Sequence, residues 1–265
     1  MSDGAIDQSG PTLFQPERQQ EIVAYTLARG RVEVAELSAR FSVTPETIRR
    51  DLSDLQRRRL LRRVHGGAVP WETGSFEPLL SIRNDHHDEE KRRLADVAID
   101  ELPSEGSIII DSGSTLTRFA EVVPRSSMLR IVTNSLPTAQ ALSGHDHTDV
   151  VMLGGRMRKN TMAMVDAHTV EQVQNLHVDT LFISSDGASA EAGLTTPYQH
   201  EAALKRAMIA AARRVVVLVD HSKFGHDHFI RFARWGEIDV VITNHEVSQS
   251  IVASLEAGGT TVRLA

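Results

Sequence analysis

A chain of 265 residues has room for one large domain and a small one, and its 41% hydrophobic and 24% charged residues exclude a fibrous or disordered protein. With no cysteine, disulfides, thiolate-held zinc and a thiol nucleophile are excluded as well. The net charge of −6 is uneven: residues 17–65 hold eleven Lys and Arg against seven Asp and Glu, a surplus of +4 that leaves −10 on the rest.

A basic head on an acidic body points to a separate nucleic-acid module. Ahead of it, the polar start up to Pro16 lacks the basic and apolar regions of a secretory signal. Nor does any apolar run approach the roughly 20 residues of a transmembrane helix. These features fit a cytoplasmic protein.

The head, residues 15–70, reads as three helices and a hairpin. A first helix starts near Gln15, with Pro16 in its first turn, and runs through Ile22, Val23 and Leu27 to Gly30. After a short extended stretch, Leu37 and Phe41 share one face of a second helix at i, i+4 spacing. Ser42 and Val43 make a turn, and Thr44 followed by Pro45 is an N-cap and first-turn pair. The third helix then places Ile48, Leu52 and Leu55 inward at i, i+4, i+7.

That pattern leaves Glu46, Thr47, Arg49, Arg50 and Ser53 on the other surface of the third helix. Arg there suits bidentate contact with guanine edges in a major groove. Arg57, Arg58, Arg62 and Arg63 suit phosphate contacts, which set affinity and register. Leu60 to Val64 and Ala68-Val69 flank His65-Gly66-Gly67, a hairpin with a glycine turn. Thr44 and His65 complete the DNA-facing set. The alternative is a structural three-helix domain with a solvated basic face.

The run Val43-Thr44-Pro45-Glu46-Thr47-Ile48-Arg49-Arg50-Asp51-Leu52, followed by Arg63-Val64-His65-Gly66-Gly67-Ala68, resembles the DeoR-type bacterial transcription regulators. It departs from that family's usual pattern at Arg59, where a glycine is common, and at Gln56, where Glu is common. The resemblance implies a winged helix-turn-helix head that binds double-stranded operator DNA.

Residues 71–84, with Gly74 and Pro78, read as a linker in which Trp71 and Phe76 are packing anchors. The body, 85–265, opens on a long polar helix over 85–102. Short β-branched runs follow at 107–110, 130–133, 149–153, 180–184, 215–219 and 240–243. Helical segments at 115–123, 137–142, 170–176 and 198–212 lie between most of them. This alternation predicts an α/β domain with a mostly parallel sheet covered on both faces, whose ligands bind at the carboxyl ends of strands.

The loops at those ends carry the candidate site. Asp111, Ser112, Gly113, Ser114 and Thr115 follow a strand and open a helix, an arrangement that offers backbone N–H groups to phosphate. Thr133-Asn134-Ser135, Gly154-Gly155 and Asp186-Gly187 close three further strands. Glu201 and Lys205 sit at i, i+4 on a helix, the spacing of a surface ion pair. Lys223 follows another strand, where it can meet a phosphate as a point charge.

Together these loops resemble the sensor domain of the DeoR family, which is similar in fold to ribose-5-phosphate isomerase. The resemblance implies a phosphorylated-sugar effector in a pocket built from the loops just named, together with Glu201, Lys205 and Lys223, and a homo-oligomer without cofactor or metal. Leu116 and Asp166 are departures, standing where a second hydroxyl and a glycine are common. Gly-His-Asp-His at 144–147 and 225–228 can chelate a metal but reads as exposed loop. Two other functions remain open: a sugar-phosphate isomerase or phosphatase using Asp111, Asp186, Glu201 and Lys223, and a constitutive DNA-binding protein whose body only oligomerises.

Overall fold

The computed structural model describes residues 14–58, 60–70 and 87–265. The chain divides into two compact units, residues 1–76 and 77–265. The expected linker 71–84 with Trp71 and Phe76, and also Arg59, Asp85 and His86, lie outside the described residues.

The first unit contains α1 (Gln15–Arg29), β1 (Val32–Glu33), α2 (Val34–Phe41) and α3 (Pro45–Arg57). Then come β2 (Leu61–Val64) and β3 (Gly67–Pro70), an antiparallel hairpin with β1 on its other side. The expected cap of α3 is present, since the Thr47 amide donates to Thr44 Oγ1 at 3.2 Å. Ile48, Leu52 and Leu55 are buried and pack with Ile22, Val23, Leu37, Leu61 and Ala68 into one small core. Gly67 permits the close approach of β1 to the hairpin, because a Cβ there would lie 1.9 Å from the Val32 carbonyl oxygen.

The second unit opens on α4 (Asp88–Ala98), shorter than the helix expected over 85–102 because its last turn tightens into a 3-10 turn at Ile99–Glu101. Next are β4 (Glu105–Ile110), α5 (Ser114–Val122), β5 (Met128–Thr133), α6 (Leu136–Leu142) and β6 (Asp149–Met152). A small antiparallel hairpin follows, β7 (Met157–Arg158) and β8 (Ala163–Met164), and then α7 (Ala167–Gln174) and β9 (Val178–Ile183). The strands β10 (Gly187–Ser189) and β11 (Gly193–Thr196) lead into α8 (Gln199–Ala211) and β12 (Ala212–Leu218). The chain ends through β13 (Ile230–Ala233), β14 (Val240–Thr243), α9 (Gln249–Ala257) and β15 (Thr261–Leu264).

Seven of these strands form one parallel sheet in the order β15-β14-β12-β9-β4-β5-β6. All six expected strand runs belong to it. Alternate side chains feed two cores. Ile109, Leu181, Val217 and Val241 face Leu204 and Met208 of α8. Ile108, Ile110, Phe182 and Val216 face Leu94 of α4 and Phe119 of α5. Burial on both faces is why these strands read as continuous apolar runs. A second sheet, β10-β11-β13, is antiparallel.

Because the strands are parallel, their carboxyl ends point the same way. The loops after β4 and β9 are thereby brought side by side, β4 pairing directly with β9.

Candidate functional site

In the head, Arg49 and Arg50 lie exposed on the side of α3 opposite its buried stripe. Arg49 Nη1 is 3.3 Å from the Glu46 carboxylate, whereas the Arg50 side chain makes no hydrogen bond or ion pair among the described residues. Thr44 and Glu46 are exposed beside them, and Thr47 is half-buried. Ser53 acts as a brace: it donates to the Arg49 carbonyl (2.7 Å) and accepts from Arg63 Nη1 (2.8 Å). Gln56 supports the same junction, its side-chain oxygen accepting the Arg63 amide at 3.0 Å. The hairpin is thus fixed against α3 as a wing, with Arg62 and His65 exposed on it. Arg57 pairs with Asp54, and Arg58 Nη1 is 3.3 Å from Gln19 Oε1.

In the second unit, the loops after β4 and β9 and the first turns of α8 enclose a narrow cleft lined by Ser112, Gly113, Asp186, Glu201 and Lys205, all expected, together with Thr161, Ser184 and Ser185. Glu201 and Lys205 do not form the surface pair their spacing implies. Both are buried, and each is paired across the cleft with a distant element. Lys205 Nζ donates to the Asp111 carboxylate and to the Ser184 carbonyl (2.9 Å). Glu201 pairs with Arg158 of β7, whose guanidinium stacks 3.8 Å over the Tyr198 ring. The Thr196 hydroxyl sits between the carboxylates of Asp186 (2.8 Å) and Glu201 (3.3 Å).

Gly113 precedes the nine-residue helix α5 as its N-cap, with Ser114 and Thr115 buried in the first turn. The cleft therefore combines an ammonium, a helix N-terminus, carboxylates and hydroxyls. Such a set suits a small polyhydroxylated molecule that carries an anionic group.

The remaining expected residues lie outside the lining. Thr133 accepts the Ser135 amide (3.1 Å), Ser135 caps α6, and Asn134 donates its side-chain amide to the Met164 carbonyl (3.1 Å), so all three hold backbone turns. Gly187 begins β10 and its carbonyl accepts from Ser185 Oγ. Gly154 is engaged by Gln172 and Thr169 of α7. At Gly155, with φ of 140°, a Cβ would lie 2.2 Å from Thr169 Oγ1. Gly155 thus admits α7 close to the strand end.

Asp166, far from facing the cleft, is the N-cap of α7. The Thr169 and Arg156 amides donate to its carboxylate and hold it below the usual carboxylate range. Lys223 stands on a 3-10 turn after β12 and forms no ion pair among the described residues. It lies in the field of Asp220. Burial pushes the Asp220 carboxyl up, but Lys223, the Ser222 hydroxyl, His87 and Lys91 outweigh that and hold it low.

Pattern reading did not place Arg158, Thr161, Ser184, Ser185, Thr196 or Tyr198 in the site; of these, Arg158 and Thr161 belong to one hairpin. Lys159-Asn160-Thr161, a polar run ahead of the apolar Met162 to Val165, is a turn signal that would have drawn attention to the first two. His145, read as part of an exposed loop, is instead buried, with its ring nitrogens 3.1 Å and 3.0 Å from the Leu142 and Val123 carbonyls. It ties the end of α6 to the end of α5. No group of three or more metal-ligating side chains occurs among the described residues, and no described helix is long and apolar enough to cross a membrane.

Comparison with known proteins bears on both units. The DeoR-like helix-turn-helix domain matches residues 18–73, and the DeoR C terminal sensor domain matches residues 86–245. The HTH-type transcriptional regulator GlpR of Haloferax volcanii is 34% identical over 250 residues, 94% of this chain and 98% of that protein. The glycerol-3-phosphate regulon repressor of Escherichia coli is 31% identical over 249 residues, 92% of this chain and 96% of that protein. Among solved structures, ribose 5-phosphate isomerase A of Neisseria gonorrhoeae aligns with a TM-score of 0.38 at 21% identity, covering 52% of this chain and 54% of that one.

Proposed function

This chain belongs to the DeoR family of helix-turn-helix transcriptional regulators, and we propose that it is a cytoplasmic repressor of an operon for sugar or polyol-phosphate metabolism, released from DNA when a phosphorylated sugar or polyol enters the cleft of its second unit. The observation that carries the reading is the state of α3: capped by Thr44, pinned by Ile48, Leu52 and Leu55, and presenting Arg49 and Arg50 to solvent. A helix so fixed is pre-organised for the major groove. Its curated relatives are regulators, among them a putative aga operon repressor and the repressor GlcR of Bacillus subtilis, so an enzymatic role is set aside.

Supporting the effector reading are the cleft's charge and hydroxyl inventory and the similarity to the glycerol-3-phosphate regulon repressor of Escherichia coli. We take 15–70 as the DNA-binding head, 71–84 as the linker, and 85–265 as the sensing and oligomerising body. One small head makes few contacts. Two heads joined through their bodies on a palindrome gain affinity through effective concentration. A ligand changes DNA affinity only if it binds the DNA-competent and DNA-incompetent states differently.

Electrophoretic shifts with the full chain and the DNA upstream of its own gene test this, with and without glycerol 3-phosphate, fructose 1-phosphate and other hexose and pentose phosphates. Release by one of them at an unchanged salt concentration is expected. Tight binding that no member of the set disturbs would refute the effector half of the reading, and absence of any sequence preference would refute the regulator half.

A further inference from the structure

One wall of the cleft is the hairpin of β7 and β8. It is docked on the segment after β5 by backbone bonds, Leu136 N–H to the Met162 carbonyl (3.1 Å) and Met164 N–H to the Asn134 carbonyl (2.8 Å). A second attachment crosses the cleft, where Arg158 pairs with Glu201 and stacks on Tyr198. Between these anchors Met162 is held at φ 53°, a left-handed conformation that crowds the Cβ of any L-residue. Thr161, its neighbour, lines the cleft and is 3% exposed, yet its hydroxyl has no hydrogen-bond partner among the described residues. Buried hydroxyls are nearly always satisfied, and backbone strain persists where the surroundings over-determine it, as at ligand clamps.

We propose that Thr161 is a specificity-determining residue of the effector site, its hydroxyl pairing with a hydroxyl of the sugar or polyol portion while the Arg158–Glu201 pair holds the hairpin over that portion. The inference rests on the effector reading above. The carboxylates of Asp186 and Glu201 in the same cleft accept hydrogen bonds and repel phosphate. This wall therefore meets the hydroxyl-bearing part of the ligand. A threonine serves there because its hydroxyl both donates and accepts.

The test is isothermal titration of the full chain, as wild type, Thr161→Val and Thr161→Ser, with inorganic phosphate and with the sugar and polyol phosphates named above. Valine keeps the shape and removes the hydroxyl; serine keeps the hydroxyl. The expected result is a loss of about tenfold or more in affinity for the responding sugar phosphate in Thr161→Val, near-wild-type affinity in Thr161→Ser, and unchanged phosphate affinity and Tm in both. Wild-type affinity of Thr161→Val for the sugar phosphate would overturn the proposal. So would an equal loss for inorganic phosphate, which marks a merely structural role. If the wild type itself binds no sugar or polyol phosphate, the effector reading fails first and this proposal fails with it.

Discussion

Arg18 Nε and the Asp51 carboxylate lie 2.7 Å apart, 8% and 1% exposed, and so form a buried ion pair between α1 and α3. Gln19 Nε2 reaches the other carboxylate oxygen at 3.1 Å. Asp51 therefore ties α3 to α1, although it closes the Arg49-Arg50-Asp51 run that carries the resemblance to DNA-binding proteins. Removing one member of a buried pair leaves the other charge uncompensated, at a cost of about 3–5 kcal/mol. Asp51→Ala is expected to destabilise the head by that amount and to abolish operator binding through unfolding. Denaturant titration with a spectroscopic probe of the head checks it. A fully stable variant that fails on DNA would instead make Asp51 a contact residue.

The solvent side of α3 separates into readers and phosphate contacts. Arg49→Ala and Arg50→Ala should each lose roughly 1–3 kcal/mol on operator DNA and much less on random DNA. Arg57→Ala and Arg62→Ala should weaken both alike and make the salt dependence of binding shallower by about one unit. Arg50, which has no partner to give up, should show the larger of the two reader effects, since Arg49 must leave Glu46. Equal losses on operator and random DNA for Arg49 and Arg50 would remove them from the readers.

The head was legible because its information is local. Thr44 and Pro45 mark a helix start within two residues, and Ile48, Leu52 and Leu55 announce its buried side through helical periodicity alone. The main sheet was legible for a similar reason, apolar runs buried on both faces. The cleft was only half legible. Nothing in the spacing of Glu201 and Lys205 shows that their partners are Arg158, 43 residues away, and Asp111, 94 residues away. Those pairs exist only once β4, β7 and α8 converge. The edge strand β15 was missed because Thr261, Arg263 and Leu264 stay exposed and alternate weakly, so it reads as loop.

Asp220 gives a pH-dependent prediction. Its folded carboxyl is held below the usual range by Lys223, Ser222, His87 and Lys91 despite burial, while an unfolded Asp titrates near about 3.9. A group depressed in the folded state contributes stability that is complete above its unfolded pKa and is lost as pH falls through the folded value. Asp220→Asn should therefore unfold at a lower temperature than wild type at pH 5 to 6, by the equivalent of about 1–3 kcal/mol. The gap should narrow steadily below about pH 4. Calorimetric scans of both proteins across that range decide it, and a gap independent of pH would mean that the carboxylate's charge contributes nothing.

Lys223 is the hardest expectation to reconcile with the cleft, and its test is correspondingly informative. Its ammonium is half-buried and outside the lining, with no ion pair among the described residues and only the field of Asp220 to hold it. A dianionic ligand offers it a stronger partner than that field, so it can turn toward the phosphate without breaking a salt bridge. Lys205, by contrast, must share its ammonium with Asp111. Lys223→Ala is therefore expected to leave operator affinity unchanged and to lower Tm by less than Asp220→Asn does, since Ser222, His87 and Lys91 still hold the Asp220 carboxylate, while the effector concentration that releases DNA rises by about tenfold, one charge-assisted contact. Coupling between the sites is reciprocal, so saturating operator DNA must weaken effector binding by the same factor by which effector weakens DNA binding, typically about 5–150-fold. Fluorescence anisotropy on labelled operator gives one side of this square and titration of effector into the protein–DNA complex gives the other. A variant that responds like wild type removes Lys223 from the site. Unequal factors on the two sides of the square would mean that release is not a binding equilibrium of this kind.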